Sequence, residues 1–99
     1  MEKYGKIYGE LIKITPDKKE DYYISHMELD KSNEIIDELF DCGVKEIYLD
    51  VEEGNDYSDT LFFETDVNTN YKKLMVIISK LRPHEFSENS NNCWMCWWD

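Results

Sequence analysis

The sequence predicts a single α+β domain, ordered ββαββαβ, in which a mostly antiparallel sheet carries two helices packed on one face. Three observations carry that expectation. The chain has 99 residues, a single-domain length. Its apolar residues alternate with period two in some segments and recur at helical spacing in two others. With 41% hydrophobic and 14% aromatic residues it can bury a core although 33% of its residues are charged. No internal repeat and no linker divides the chain, so residues 1–99 read as one acidic domain.

Lys6 to Thr15 (KIYGELIKIT) is rich in aliphatic, aromatic and β-branched residues and reads as a first strand, with Pro16-Asp17 as the turn that follows. Asp21 to Glu28 (DYYISHME) sets Tyr22, Ile24 and His26 against Tyr23, Ser25 and Met27, which predicts a second, antiparallel strand. From Asp30 the period changes: Ile35, Ile36, Leu39 and Phe40 recur at helical spacing, and Glu34, Asp37, Glu38 and Asp41 take the remaining face. Asp30 or Ser32 supplies an N-cap for this helix, and Gly43 a stop.

Glu46 to Val51 (EIYLDV) alternates Ile47, Leu49 and Val51 with Glu46, Tyr48 and Asp50, the pattern of a half-buried strand. Glu52 to Asp59 is an acidic connection around Gly54-Asn55, and Thr60 to Thr65 (TLFFET) returns as the other arm of a hairpin. Asn68-Thr69-Asn70 signals a helix start; Tyr71, Leu74, Met75, Ile78 and Leu81 follow at helical spacing until Pro83, which predicts a second helix over 70–81. Ser87 to Asn92 (SENSNN) reads as a polar loop, and Cys93 to Trp98 (CWMCWW) as a terminal strand. The open face of the sheet is then expected to carry polar side chains.

Twenty-two acidic against 11 basic side chains give a formal charge of −11. Such a surplus disfavours contact with nucleic-acid phosphates and with anionic lipid, and makes a basic protein surface the natural partner. Sixteen of the acids lie between Glu20 and Asp66, where Lys31 and Lys45 are the only bases; the second helix is basic, with Lys72, Lys73, Lys80 and Arg82. The candidate partner-binding residues are Glu34, Glu38, Asp41, Glu52, Glu53 and Asp56, on the first helix and the acidic connection. Carboxylates spaced with Tyr48 and Tyr57 have the chemistry to compete with nucleic acid for a basic groove. A solvated acidic face that only keeps the chain in solution is the alternative.

In length, acidity and mixed α/β pattern the chain resembles the small phage-encoded inhibitors known as anti-CRISPR proteins. It resembles, in the same terms, the immunity proteins that neutralise nuclease toxins. The resemblance covers the whole chain as composition and pattern. It implies an inhibitor that binds the basic groove of a nucleic-acid enzyme, as a DNA mimic that blocks access to a CRISPR effector nuclease. An intracellular adaptor module with a small zinc site is a further reading.

Cys93 and Cys96 have the C-x-x-C spacing of half a zinc site, with His84, Cys42 and His26 as completing candidates; Cys93, Cys96 and His84 form the preferred set. A strand alternates in direction, so Cys93 and Cys96 fall on opposite faces, and buried free thiols are the favoured reading over zinc. Three tryptophans among the last six residues are core anchors or a binding hot spot. No Gly-rich phosphate loop, H-E-x-x-H or nucleophile elbow occurs, and the calcium-loop template fails because Asn55 stands where Gly is required and Leu61 where Glu is required. The expectation is a binding protein rather than an enzyme, without a resident cofactor other than zinc. The odd number of cysteines and the lack of an apolar leader or membrane-length apolar run predict a cytoplasmic setting.

Overall fold

A computed structural model describes residues 7–17 and 22–98. Five strands form one antiparallel sheet in the order β1-β3-β5-β7-β6: β1 (Glu10–Ile14), β3 (Glu46–Val51), β5 (Thr60–Glu64), β7 (Cys93–Trp97) and β6 (Glu85–Ser90). Helices α1 (Leu29–Asp41) and α2 (Tyr71–Leu81) cover one face, so the α+β expectation holds. Two short segments, β2 (Tyr23–Ile24) and β4 (Tyr57–Ser58), pair in parallel beside the main sheet.

The register explains the core. Ile14 pairs with Ile47 and Ile12 with Leu49; Ile47 pairs with Phe63 and Leu49 with Leu61; Phe63 pairs with Trp94 and Leu61 with Cys96. These alternate residues share the helix-facing side, where Ile35, Ile36 and Leu39 of α1 and Leu74, Ile77, Ile78 and Leu81 of α2 complete one cluster. Phe63, Phe86 and Trp94 stack within 5.4 to 6.4 Å of one another, with ring planes 10 to 15° apart. Of these, Phe63 is fully buried and contributes roughly 1.5 to 3 kcal/mol relative to exposure.

The helix ends follow local chemistry. α1 stops at Gly43, whose φ of 98° is open to glycine at little cost; the Gly43 N–H donates to the Phe40 carbonyl and the Val44 N–H to the Leu39 carbonyl, two carbonyls the helix leaves unpaired. α2 starts at Asn70, whose side chain accepts from the Lys73 amide at 3.1 Å. The Asn70 N–H also donates to the Cys42 carbonyl at 2.7 Å and joins the end of one helix to the start of the other. After Leu81 the chain turns through Arg82 in the left-handed region (φ 51°), and Trp98 donates its indole N–H to the Leu81 carbonyl at 2.9 Å.

Four sequence expectations change. The second strand is reduced to Tyr23–Ile24 and pairs in parallel with β4 instead of antiparallel with β1; Lys6 and Asp21, where two expected strands begin, lie outside the described residues. The N-cap of α1 is Glu28, without a side-chain cap, because Ser32 is fully buried and its hydroxyl accepts from the Ile24 amide at 3.1 Å. The polar segment expected as a loop is β6 instead, a hairpin arm that turns at Asn91-Asn92, with Asn92 at φ 64°. The open face is not uniformly polar, since Phe62 there is 1% exposed and lies between Tyr48 and Met95.

Candidate partner-binding site

One end of the sheet gathers carboxylates from segments far apart in sequence. Glu10 lies opposite Val51, Thr60 opposite Trp97 and Trp97 opposite Glu85, so the starts of β1, β5 and β6 and the ends of β3 and β7 meet there. The connection from β3 to β5 adds Glu52, Glu53, Asp56 and Asp59. α1 enters at the same end with Glu28 and Asp30, because the Tyr23 N–H donates to the Asp56 carbonyl at 3.1 Å and the Ser25 N–H to the Ser58 carbonyl at 2.8 Å just before the helix begins. All eight carboxylates are exposed.

The connection is held in shape by backbone chemistry. Gly54 turns it at φ 86°, and the Asn55 N–H donates to the Glu52 carbonyl at 3.1 Å. The buried Ser58 hydroxyl bonds the Asp50 carbonyl at 2.6 Å and the Thr60 carbonyl at 2.8 Å, and accepts from the Thr60 amide at 3.0 Å. Carboxylates on such a frame present fixed charge, which loses less freedom on meeting a partner than a mobile loop would.

Elsewhere the chain pairs its own charges. Lys80 bonds Glu38 at 2.8 Å, Lys45 lies 3.4 Å from Asp66, Lys31 3.6 Å from Glu34 and Lys13 3.9 Å from Glu46. The Asn68 amide, aided by Lys45, holds the Asp66 carboxyl below its ordinary range, although partial desolvation opposes this. Among the described residues, none of the eight carboxylates at the acidic end forms an ion pair with a lysine, arginine or histidine.

The candidate residues from the sequence therefore separate. Glu52, Glu53 and Asp56 stand together at the acidic end, with Tyr57, 42% exposed, beside them. Glu34 lies on α1 with Lys31, and Glu38 is drawn to α2 by Lys80. Asp41 ends α1 and lines, with Glu38, Cys42, Lys73, Val76 and Ile77, a hollow of about 310 Å³ between the helices. Tyr48 stays in mid-sheet, where its hydroxyl donates to Glu46.

Beside the acidic end the open face sinks into a concavity of about 580 Å³. Phe62, Met95 and Trp97 supply apolar surface, Tyr8 stands at one side, and Asp50, Glu52, Asp59, Thr60, Glu85 and Asn89 supply the polar groups. Asp50 is 5% exposed, and its two oxygens accept the Tyr8 amide at 2.9 Å and the Gly9 amide at 2.7 Å. Trp97 is 37% exposed and Tyr8 69%. Glu10, Glu28, Asp30, Asp59 and Glu85 and this apolar floor lie outside the sequence-derived set. The signals for the floor are the run Leu61-Phe62-Phe63 and the run Cys93 to Trp98, each of which puts apolar side chains on both faces of its strand.

The cysteines and histidines are dispersed. Cys93 lies opposite Glu64 on the open face, whereas Cys96 lies opposite Leu61 in the core cluster. His84 stands at the far end of β7 from Cys93, its amide donating to the Trp97 carbonyl at 2.8 Å. Cys93, Cys96 and His84 are thus not brought to one point, and no group of three or more His, Cys, Asp or Glu side chains among the described residues has the geometry to hold a metal ion. Burial pushes the Cys96 thiol up to about 12 and raises Cys42, whose sulfur lies 3.2 Å from the Leu39 carbonyl. Trp94 and Trp98 turn to the core, and Trp97 turns outward.

No helix among the described residues is long and apolar enough to cross a membrane. Compared with protein-family models, curated proteins and solved structures, the chain shows no match.

Proposed function

We propose that this chain is a small acidic inhibitor that binds the basic groove of a nucleic-acid enzyme, acting in the manner of an anti-CRISPR protein that blocks DNA access to a CRISPR effector nuclease. The observation that carries the reading is the separation of charge. Lysines neutralise Glu34, Glu38, Glu46 and Asp66, whereas Glu10, Glu28, Asp30, Glu52, Glu53, Asp56, Asp59 and Glu85 face solvent at one end without a cationic partner among the described residues. Unpaired like charges held together cost folding stability, and a basic surface relieves that repulsion while steering encounter. A binding role in the cytoplasm, without catalysis and without a required metal, belongs to the same reading.

The test is inhibition of DNA cleavage by a panel of CRISPR effector nucleases and nuclease toxins. The expected result is inhibition of a CRISPR effector that excess DNA and added salt both relieve, and that weakens strongly in the combined variant Glu52→Gln, Glu53→Gln, Asp56→Asn, Asp59→Asn. Unchanged inhibition by that variant at low salt would sink the acidic-surface reading. Inhibition of a toxin alone would replace the CRISPR target with that of an immunity protein.

A further inference from the structure

We propose that the concavity on the open face of the sheet receives an arginine side chain of a protein partner. This deepens the reading of the chain as a binder of basic surfaces: it names the group received and a place distinct from the α1 carboxylates. The concavity of about 580 Å³ joins two features that seldom coincide on a solvated sheet face, aromatic surface and carboxylates. Phe62, Met95 and Trp97 form its apolar side, and Glu52, Asp59 and Glu85 stand around it as exposed acids.

Register explains the coincidence. Trp97 lies between Thr60 and Glu85 across three strands, so an indole is flanked by a carboxylate of β6 on one side and by the residue after Asp59 on the other. Asp50 has a different task. Both its oxygens are engaged by the Tyr8 and Gly9 amides, which hold Tyr8 at the side of the concavity. Among the described residues the carboxylates left for a ligand are Glu52, Asp59 and Glu85, and Asp59 accepts one hydrogen bond within the site, from the Thr60 hydroxyl at 3.0 Å.

The electrostatics select a cation, since phosphates and carboxylates would meet like charge. Among protein cations the guanidinium fits best. It is planar, stacks on an aromatic face, and presents five N–H donors that match carboxylates in pairs, whereas the lysine ammonium is more tightly hydrated and has no flat face. A concavity of this size falls within the roughly 300 to 1,000 Å³ of ligand sites, which leaves room for the backbone flanking the arginine. Exposed Trp97 and Tyr8 then act as anchors of the kind that concentrate binding energy at interfaces.

The experiment titrates the full chain with a capped Gly-Arg-Gly peptide, its lysine counterpart and its citrulline counterpart, which is neutral but similar in shape. The Trp97 indole N–H and the Met95 methyl group are followed by NMR. Saturable shifts at both reporters with the arginine peptide, weaker ones with lysine and none with citrulline are expected. Trp97→Ala and Glu85→Gln should each weaken binding by about fivefold with the remaining spectrum unchanged, and Glu34→Gln should have no effect.

Unsaturable shifts spread over all exposed acids would overturn the proposal. So would equal binding of citrulline, unchanged affinity in both site variants, or concentration-dependent self-association that buries Trp97 against a second copy. Saturable arginine binding by a chain that inhibits no nuclease would refute the proposed function and leave this site standing. Inhibition that survives Trp97→Ala and Glu85→Gln, in a chain indifferent to the arginine peptide, would do the reverse.

Discussion

The Asp50 carboxylate accepts the Gly9 amide at 2.7 Å and, through its other oxygen, the Tyr8 amide at 2.9 Å, which ties the approach to β1 onto β3. Asparagine in its place keeps one acceptor and turns an NH₂ donor toward the second amide. Asp50→Asn is therefore expected to destabilise the fold by about 2 kcal/mol and to speed hydrogen exchange at Tyr8 and Gly9. Urea melts and amide exchange check both; unaltered exchange at these two amides would remove the tether from the account.

Two glycines separate crowding from backbone strain. A Cβ at Gly9 would lie 2.3 Å from the Val51 carbonyl oxygen and 2.6 Å from its carbon, within the paired backbone of β3. At Gly54, φ is 86° but nothing stands within 4 Å. Gly54→Ala should cost about 1 kcal/mol from the left-handed conformation alone. Gly9→Ala should cost about 2 to 3 kcal/mol, because β1 must shift away from β3. Paired denaturation curves measure the difference, and equal losses would contradict the close approach.

The thiols test the core end of the terminal strand. Cys96 is fully buried, with its pKa pushed up to about 12, and Cys42 is raised as well. Thiolate is the reactive form, so a neutral disulfide reagent near pH 8 should modify neither in the native protein, and both once urea unfolds it. Mass spectrometry of the labelled peptides identifies which cysteine reacts. Rapid native labelling of Cys96 would show that β7 opens.

His26 stacks on Trp98 with ring centroids 4.7 Å apart, so one side of its ring is covered while an edge stays exposed. Desolvation lowers its pKa from 6.5, and a hydrogen bond to the Leu81 carbonyl partly opposes that. A depressed folded pKa means that the unfolded chain binds the proton more readily, so stability falls as pH drops through 6.5 toward the folded value and levels off below it. The urea midpoint should decrease between about pH 7.5 and about pH 5.5, and less in His26→Gln. The same decrease in both proteins would assign it to other groups.

Both helices were legible because their signals are local. Ile35, Ile36 and Leu39 at one spacing, Gly43 after the last turn and Asn70 before the first each act through neighbours within a few residues. β3, β5 and β7 were legible for the same reason, as short runs of period two or continuous apolar character. β6 was not. Glu85 to Ser90 is polar on most positions, and it becomes a strand because its backbone completes the hydrogen bonds of the tryptophan-bearing β7 across a tight turn. The second strand fails in the opposite way: DYYISHME alternates well, yet among its described residues only Tyr23–Ile24 pairs, and it does so with β4.

The sequence by itself determined the α+β class, the stop of α1, the start of α2 and the surplus of acid, since propensity, capping and net charge are properties of short segments or of composition. Tertiary structure alone decided which acids meet. Glu10, Glu52, Asp59 and Glu85 come to one end, and Phe62, Met95 and Trp97 to one hollow, through strand pairing between residues tens of positions apart. Strand alternation, which is local, already sends Cys93 and Cys96 to opposite faces, whereas Lys80 reaches Glu38 only through the packing of two helices. Register carries the meeting of the acids and of the apolar side chains, and register is set when distant apolar faces are buried together, a condition no local segment contains.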